Sequence, residues 1–140
     1  MTNDQLTHDL EERIREAFRG VPFAHHLGIE LGEMRSGEAS LHLEVRDELR
    51  RNNGFVHGGV IASLADTAAA FAILTTLGTE ETTTTVDMTI HYMRPLTRGK
   101  ATARARVVRA GRRVITIHVD VLDEAGRLSS TALATFIKLA

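Results

Sequence analysis

Apolar side chains recur every three or four positions near the start of the chain and every two positions through much of the remainder. Leu6, Leu10, Ile14, Ala17 and Phe18 line one face of an amphipathic helix that Asn3 or Asp4 can cap and Gly20 can stop. Beyond Pro22 a short piece, 23–27, leads into Ile29–Arg35, which reads as a strand ending at the Ser36-Gly37 turn signal. Ala39, Leu41, Leu43 and Val45 then alternate with Glu38, Ser40, His42 and Glu44. One face of that strand meets a core and the other meets solvent or an interface.

From Gly58 to about Leu77 the pattern becomes Ala-rich and nearly uncharged, long enough for five helical turns and apolar around most of its circumference. Such a helix is expected to be buried. Strands follow at 83–93, 101–109, 114–122 and 128–139, separated by Gly, Pro or an Asp-Glu-Ala-Gly turn. No crossover helix fits those gaps, which predicts that consecutive strands pair as antiparallel neighbours. The expected architecture is α+β: a curved antiparallel sheet of about six strands wrapped around one long central helix, plus an N-terminal helix within residues 1–20. With 140 residues and no repeat, low-complexity segment or linker, the chain is expected to form one domain, 1–140.

Composition narrows the function. Apolar residues make up 43% and charged residues 25%, as in a soluble globular protein. The net charge of -1 gives no global basic field for nucleic acid, so an anionic ligand must meet a local patch. With no cysteine there is no disulfide, thiol nucleophile or thiolate metal site. The mixed charges of the first eighteen residues exclude the apolar run of a secretory signal, and the weakly charged stretch 52–79 holds Asp66, several Thr and many small Ala residues. A cytoplasmic protein without a membrane anchor is expected.

Candidate chemistry concentrates in NNGFVHGGVIASLAD, residues 52–66, which joins a glycine-rich turn to a helix start and then places a lone acid within it. Gly58 and Gly59 let backbone approach a ligand, and amides at a helix N-terminus are unpaired donors suited to a developing oxyanion; simple helix entry is the alternative. An acid in an Ala-rich helix must be desolvated unless it faces a cleft or a partner. Asp66 is therefore read as a functional carboxylate, a base for water or a nucleophile, against the alternative of a carboxylate bonded to Thr67, Ser63 or nearby backbone. Gly58 and Asp66 are eight residues apart, about 12 Å along a helix axis. If both act on one carbonyl, a two-fold partner must supply one of them, which predicts a site across a homodimer interface.

No metal is expected, because His57 has no second ligand at i+3 or i+4; a turn role is favoured for it, with a general-base role as the alternative. Ser63 lacks a nucleophile elbow. The arginines of the turn Arg109-Ala110-Gly111-Arg112-Arg113, with Arg94 and Arg98 on the preceding loop, read as a local positive surface able to grip phosphates, or as a solvated hairpin end.

Three segments, VHGGVIASLAD at 56–66, TTVDMTIHYMRP at 84–95 and VVRAGRR at 107–113, together resemble the phenylacetate-pathway type of hotdog-fold acyl-CoA thioesterases over nearly the whole chain. The resemblance implies hydrolysis of a small or medium acyl-CoA without a cofactor, in a homodimer or a dimer of dimers. It gives Asp66 as base or nucleophile, the Gly58 amide as the donor to the thioester carbonyl, and Thr85 as a hydroxyl that holds water or the carboxylate. Many relatives carry Asn or Gln fifteen residues before the acid, where this chain has Arg51. Asn52 is the first choice for that polar role, with Asn53 and Arg51 as alternatives. Gly59, Phe55, Arg94, Arg109, Gly111, Arg112 and Arg113 complete the expected substrate contacts. A non-catalytic acyl-CoA-binding module, or a hydratase or dehydratase using His57, are the competing readings.

Overall fold

A computed structural model describes residues 4–78 and 80–139. Helix α1 runs His8–Arg19 and is capped by Thr7, whose hydroxyl accepts the Leu10 N–H at 3.2 Å. The cap is thus neither Asp4 nor Asn3, the latter lying outside the described residues; a Thr hydroxyl at Ncap, followed by Asp9 and Glu11 in the first turn, meets the positive helix end. Ile14 and Phe18 bury the apolar stripe. Piece 23–27 is a short helix, α2 (Pro22–Leu27), entered through Pro22 at its first turn and ended by Gly28 at φ 80°.

Among the described residues six strands form one sheet: β1 (Ile29–Arg35), β2 (Glu38–Glu44), β3 (Thr82–Tyr92), β4 (Lys100–Ala110), β5 (Val114–Leu122) and β6 (Leu128–Leu139). Helix α3 (Gly58–Leu74) lies across its inner face. The helix stops at Leu74, three residues short of the expected end. Thr75 and Thr76 turn the chain there, each hydroxyl bonding the carbonyl three residues back, which competes with continued helix.

All pairs are antiparallel, in the order β1-β2-β4-β5-β6-β3. One expectation fails: β3 and β4 are consecutive in the chain but not neighbours. Residues 93–99 span up to about 25 Å when extended, enough to cross two intervening strands at about 4.8 Å spacing without a helix. That crossing is anchored by the Met93 and Arg94 N–H groups on the Ser129 carbonyl, by the Ser129 hydroxyl on the Arg94 carbonyl, and by the Val56 N–H on the Leu96 carbonyl. It therefore passes beneath the start of α3.

Inner-face positions alternate in size. Ala101, Ala103, Ala105, Ala132 and Ala134 face the helix that carries Ala65, Ala68, Ala69 and Ala72, while Leu41, Leu43, Ile115, Ile117, Val119 and Val121 fill the space beside it. Small residues on both surfaces let helix and sheet approach closely, and each large side chain contributes about 1.5–3 kcal/mol by burial. This is the hotdog arrangement.

The two sheet edges differ. Helices α1 and α2 pack on β1, whereas β3 is a long edge strand whose residues are mostly exposed, Val86 at 58%. Long uncovered edges template pairing with another strand.

Candidate active site

The loop before α3 is held by its own backbone. Arg50 bridges Val56, the Arg51 N–H donates to the Phe55 carbonyl at 2.8 Å, and the Gly54 N–H donates to the Arg51 carbonyl. Gly54 sits at φ 90°, a left-handed conformation that glycine takes without Cβ strain. The Asn53 side chain accepts the Phe55 N–H at 3.1 Å, so it is spent on the turn. Asn52 is exposed at the turn tip and does not line the neighbouring cavity, which Arg51 does line.

His57 is the N-cap of α3. Its Nδ1 accepts the Gly59 N–H at 2.8 Å, so the ring serves the helix end and the Gly59 amide is occupied. The Gly58 N–H, by contrast, has no acceptor among the described residues. It borders a cavity of about 450 Å³ lined by Arg51, Phe55, Gly58, Ile61, Tyr92 and Arg94. Phe55, Arg94 and Pro95 also line an adjoining cavity of about 420 Å³ that Arg98, Asp123, Glu124 and Arg127 line as well. The Arg127 backbone N–H, with its side chain in support, holds the Asp123 carboxyl below its ordinary range.

Asp66 lies two turns further along α3 and is half-buried, on a side of the helix that stays partly open through Ser63 and Ala70. The α3 surface is therefore not enclosed all round. Thr85 on β3 donates its hydroxyl to Asp66 Oδ1 at 2.8 Å, while Oδ2 has no hydrogen-bond partner among the described residues. The Ser63 and Thr67 hydroxyls do not reach the acid; they donate to the Gly59 and Ser63 carbonyls of their own helix.

The expected positive surface is divided within one chain. Ala110, Ile115, Phe136 and Thr85 form one row across the sheet, so the Arg109–Arg113 turn sits at the Thr85 end. Ala103, Val121, Ser130 and Tyr92 form another row, six residues away along β5 and β6 and seven along the bulged β3 and β4, about 20 Å along the strands, with Arg94 and Arg98 beyond it. Sequence proximity through the β3–β4 connection was misleading, because that connection and the β4–β5 turn leave opposite ends of the sheet.

Tyr92 and Arg127 were missing from the sequence-derived set. Tyr92, the sole tyrosine, donates its hydroxyl to the Gly58 carbonyl at 3.0 Å. Its inward position on a strand was readable from the alternation of β3, but its place opposite the α3 start depends on β3 being the edge next to β6. Among the described residues no group of three or more His, Asp or Glu could hold a metal ion, and no helix is long and apolar enough to cross a membrane.

The thioesterase superfamily profile matches residues 53–130. A medium/long-chain acyl-CoA thioesterase, YigI, from Salmonella typhimurium is 30% identical, with 84% of this chain and 85% of the relative covered. A variant of the phenylacetic acid degradation protein PaaI from Thermus thermophilus is 33% identical, with 85% and 100% covered and a TM-score of 0.78. The Escherichia coli PaaI protein has the same fold, with a TM-score of 0.89 at 23% identity and 97% of each chain covered.

Proposed function

Because this chain belongs to the thioesterase superfamily and is a thioester hydrolase, we propose that its substrate is an acyl-CoA and that its active site is completed across a homodimer. The observation that carries the reading is the unpaired Gly58 N–H at the start of the helix that also bears Asp66, held by Thr85. A thioester carbonyl needs a donor for its developing negative charge and an oxygen nucleophile at its carbon. Gly58 supplies the first. Asp66 supplies the second, by deprotonating water or by direct attack with Oδ2.

In the water route, water adds to the carbonyl carbon as its proton passes to Asp66. The C–S bond then breaks, the acid forms, and the proton leaves with the coenzyme A thiol. The anhydride route ends in the same products after water cleaves the acyl-Asp66 bond, and neither asks for a metal or redox group. A single turnover in heavy-oxygen water distinguishes them when water opens the anhydride at the Asp66 carbonyl carbon: the first acid released then carries no heavy oxygen, whereas the water route puts one heavy oxygen into every acid.

Distances support the dimer. Along α3 the amide and the acid are about 12 Å apart, too far to serve one carbonyl. If the open edge of β3 pairs with the same edge of a second copy, antiparallel about a two-fold axis between Met88 and Thr89, that register sets the Thr85 row of one protomer beside the Tyr92 row of the other. Asp66 of one chain then meets Gly58 of its partner. The same operation brings the Arg109–Arg113 turn of one chain to the Arg94 and Arg98 side of the other, restoring one basic surface for the nucleotide phosphates of coenzyme A. A dimer of dimers is compatible with this pairing.

The hydratase reading is disfavoured because the ring nitrogen of His57 that faces the helix is occupied by Gly59. Thiol release across a panel of aromatic, short and medium acyl-CoA substrates tests the proposal. Turnover of at least one that disappears in Asp66→Ala supports it; tight binding without release by the wild-type chain would favour a non-catalytic sensor.

A further inference from the structure

Two side chains close on a single peptide unit at the head of α3. The Gly58 carbonyl and the Gly59 N–H belong to the same peptide plane; Tyr92 Oη donates to the carbonyl at 3.0 Å, and His57 Nδ1 accepts from the amide at 2.8 Å. Each glycine makes room for one of them. A Cβ on Gly58 would lie 3.3 Å from Tyr92 Cζ and 3.5 Å from its Cε1 and Oη, and a Cβ on Gly59 would lie 3.0 Å from His57 Nδ1 and 3.1 Å from Cε1.

Neither contact is needed to satisfy a buried group. The Gly58 carbonyl lies in the first turn of α3, where the helix ladder already supplies a donor, and Tyr92 is 52% exposed. Nor does a positive φ require glycine at 58 or 59. A Gly-Gly pair has more backbone freedom to lose than any other dipeptide, and an oxyanion donor works only if its direction is settled before the charge develops. Pinning the 58–59 plane at both ends removes the rotation about Gly58 that would swing its own N–H.

We propose that Tyr92 is a positioning residue for thioester hydrolysis: with His57 it clamps the Gly58–Gly59 peptide, so that the unpaired Gly58 N–H stays aimed at the substrate carbonyl. The inference rests on the assignment of Gly58 as the oxyanion donor. Tyr92 and Gly58 come from the same chain, so the clamp travels with the amide to whichever site of a dimer it serves.

Tyr92→Phe keeps the ring and deletes only the clamping hydroxyl. The expected result is a fall in kcat of about tenfold with KM unchanged, since the interaction is realised in the transition state. His57→Ala is expected to act in the same direction, and His57→Asn, which restores a capping acceptor, to recover most of the loss. The double variant Tyr92→Phe/His57→Ala should lose less than the product of the single effects, because both act on one peptide. Backbone amide exchange at Gly59, whose N–H His57 accepts, followed by nitrogen-15 NMR, should quicken in Tyr92→Phe while the melting temperature stays near wild type. Wild-type kcat in Tyr92→Phe, a change confined to KM, or unaltered exchange at Gly59 would overturn the clamp. Absence of thiol release by the wild-type chain sinks the hydrolase assignment instead, and the exchange measurement still judges the clamp.

Discussion

Thr85 on the edge strand donates its hydroxyl to Asp66 Oδ1 on the central helix at 2.8 Å, joining residues nineteen apart in sequence and leaving Oδ2 without a hydrogen-bond partner among the described residues. A carboxylate held at one oxygen presents the other in a defined direction, which is what a base or nucleophile requires. Asp66→Asn keeps the shape and an acceptor for Thr85 but removes the charge. Its kcat for thiol release should fall by about 10²–10⁴ with the melting temperature preserved. Thr85→Ser should retain most activity, and Thr85→Val should lose about tenfold, because only Ser keeps the donor. Equal kcat values for Val and Ser would show that the hydroxyl contributes nothing to the reaction.

Gly58 offers a way to delete one hydrogen atom. It is the first residue of α3, where proline is tolerated, and His57 before it, at φ -60° and ψ 135°, already has the extended backbone that proline demands. Gly58→Pro removes the N–H, and Gly58→Ala is the control, since it puts a Cβ against the same Tyr92 ring while keeping the donor. The proline variant should be about 10²–10³ slower than the alanine variant if the amide stabilises the oxyanion. Refolding Gly58→Pro and Asp66→Asn chains together then tests the shared site. Half of the randomly mixed dimers are mixed, and one of the two sites in each is intact, so about a quarter of wild-type activity should return. No recovery, despite demonstrated mixed dimers, would place both groups in one chain.

Most of the fold was legible because it follows from period. Residues 29–35, 114–122 and 128–139 carry alternation, or apolar runs bounded by turns, that only strands accommodate, and the Ala-rich 58–74 segment could only be a buried helix. Strand order was not legible. Nothing local in 93–99 states that it crosses beneath α3 to leave β3 at an edge, and that tertiary fact decides where Tyr92 and the arginines lie. Asp66 and Gly58 could be singled out as candidates because an acid in an uncharged helix and a Gly-Gly helix start are locally anomalous. Tyr92 and Arg127 are ordinary residues for a strand end and a hairpin, so they acquire meaning only from their neighbours. The capping role of His57 was half-visible, since the residue before a helix often supplies an acceptor.

The arginines at opposite ends of one chain give a substrate-dependent expectation. If the Arg109–Arg113 turn and the partner's Arg94 side together hold the nucleotide, Arg112→Glu/Arg113→Glu should raise KM for an acyl-CoA by about tenfold or more at low salt, with kcat little changed. The same variant should treat the matching acyl-N-acetylcysteamine thioester, which has no phosphates, as the wild type does. Because surface charge interactions are screened, the acyl-CoA effect should shrink as ionic strength rises. Equal losses on both substrates would mean that the turn supports the fold rather than the nucleotide.

His42 sets a stability profile away from the reaction. Its Nδ1 lies 2.9 Å from the Thr102 hydroxyl, and its ring packs over Gly32, where a Cβ would fall 2.5 Å from Nε2. Burial, reinforced by Lys100, pushes its pKa below the ordinary histidine value of 6.5, with Glu30 and Glu33 pulling the other way. The unfolded chain therefore binds this proton more readily than the folded one, so stability contributed by neutral His42 is present above about pH 6.5 and is lost as pH falls through the lowered folded pKa. His42→Gln preserves a hydrogen-bonding side chain without titrating. Urea unfolding at pH 7.5 and pH 5 should show a larger drop in midpoint for the wild type than for His42→Gln, the difference arising below pH 6.5. Parallel drops in the two proteins would assign the acid sensitivity to other groups.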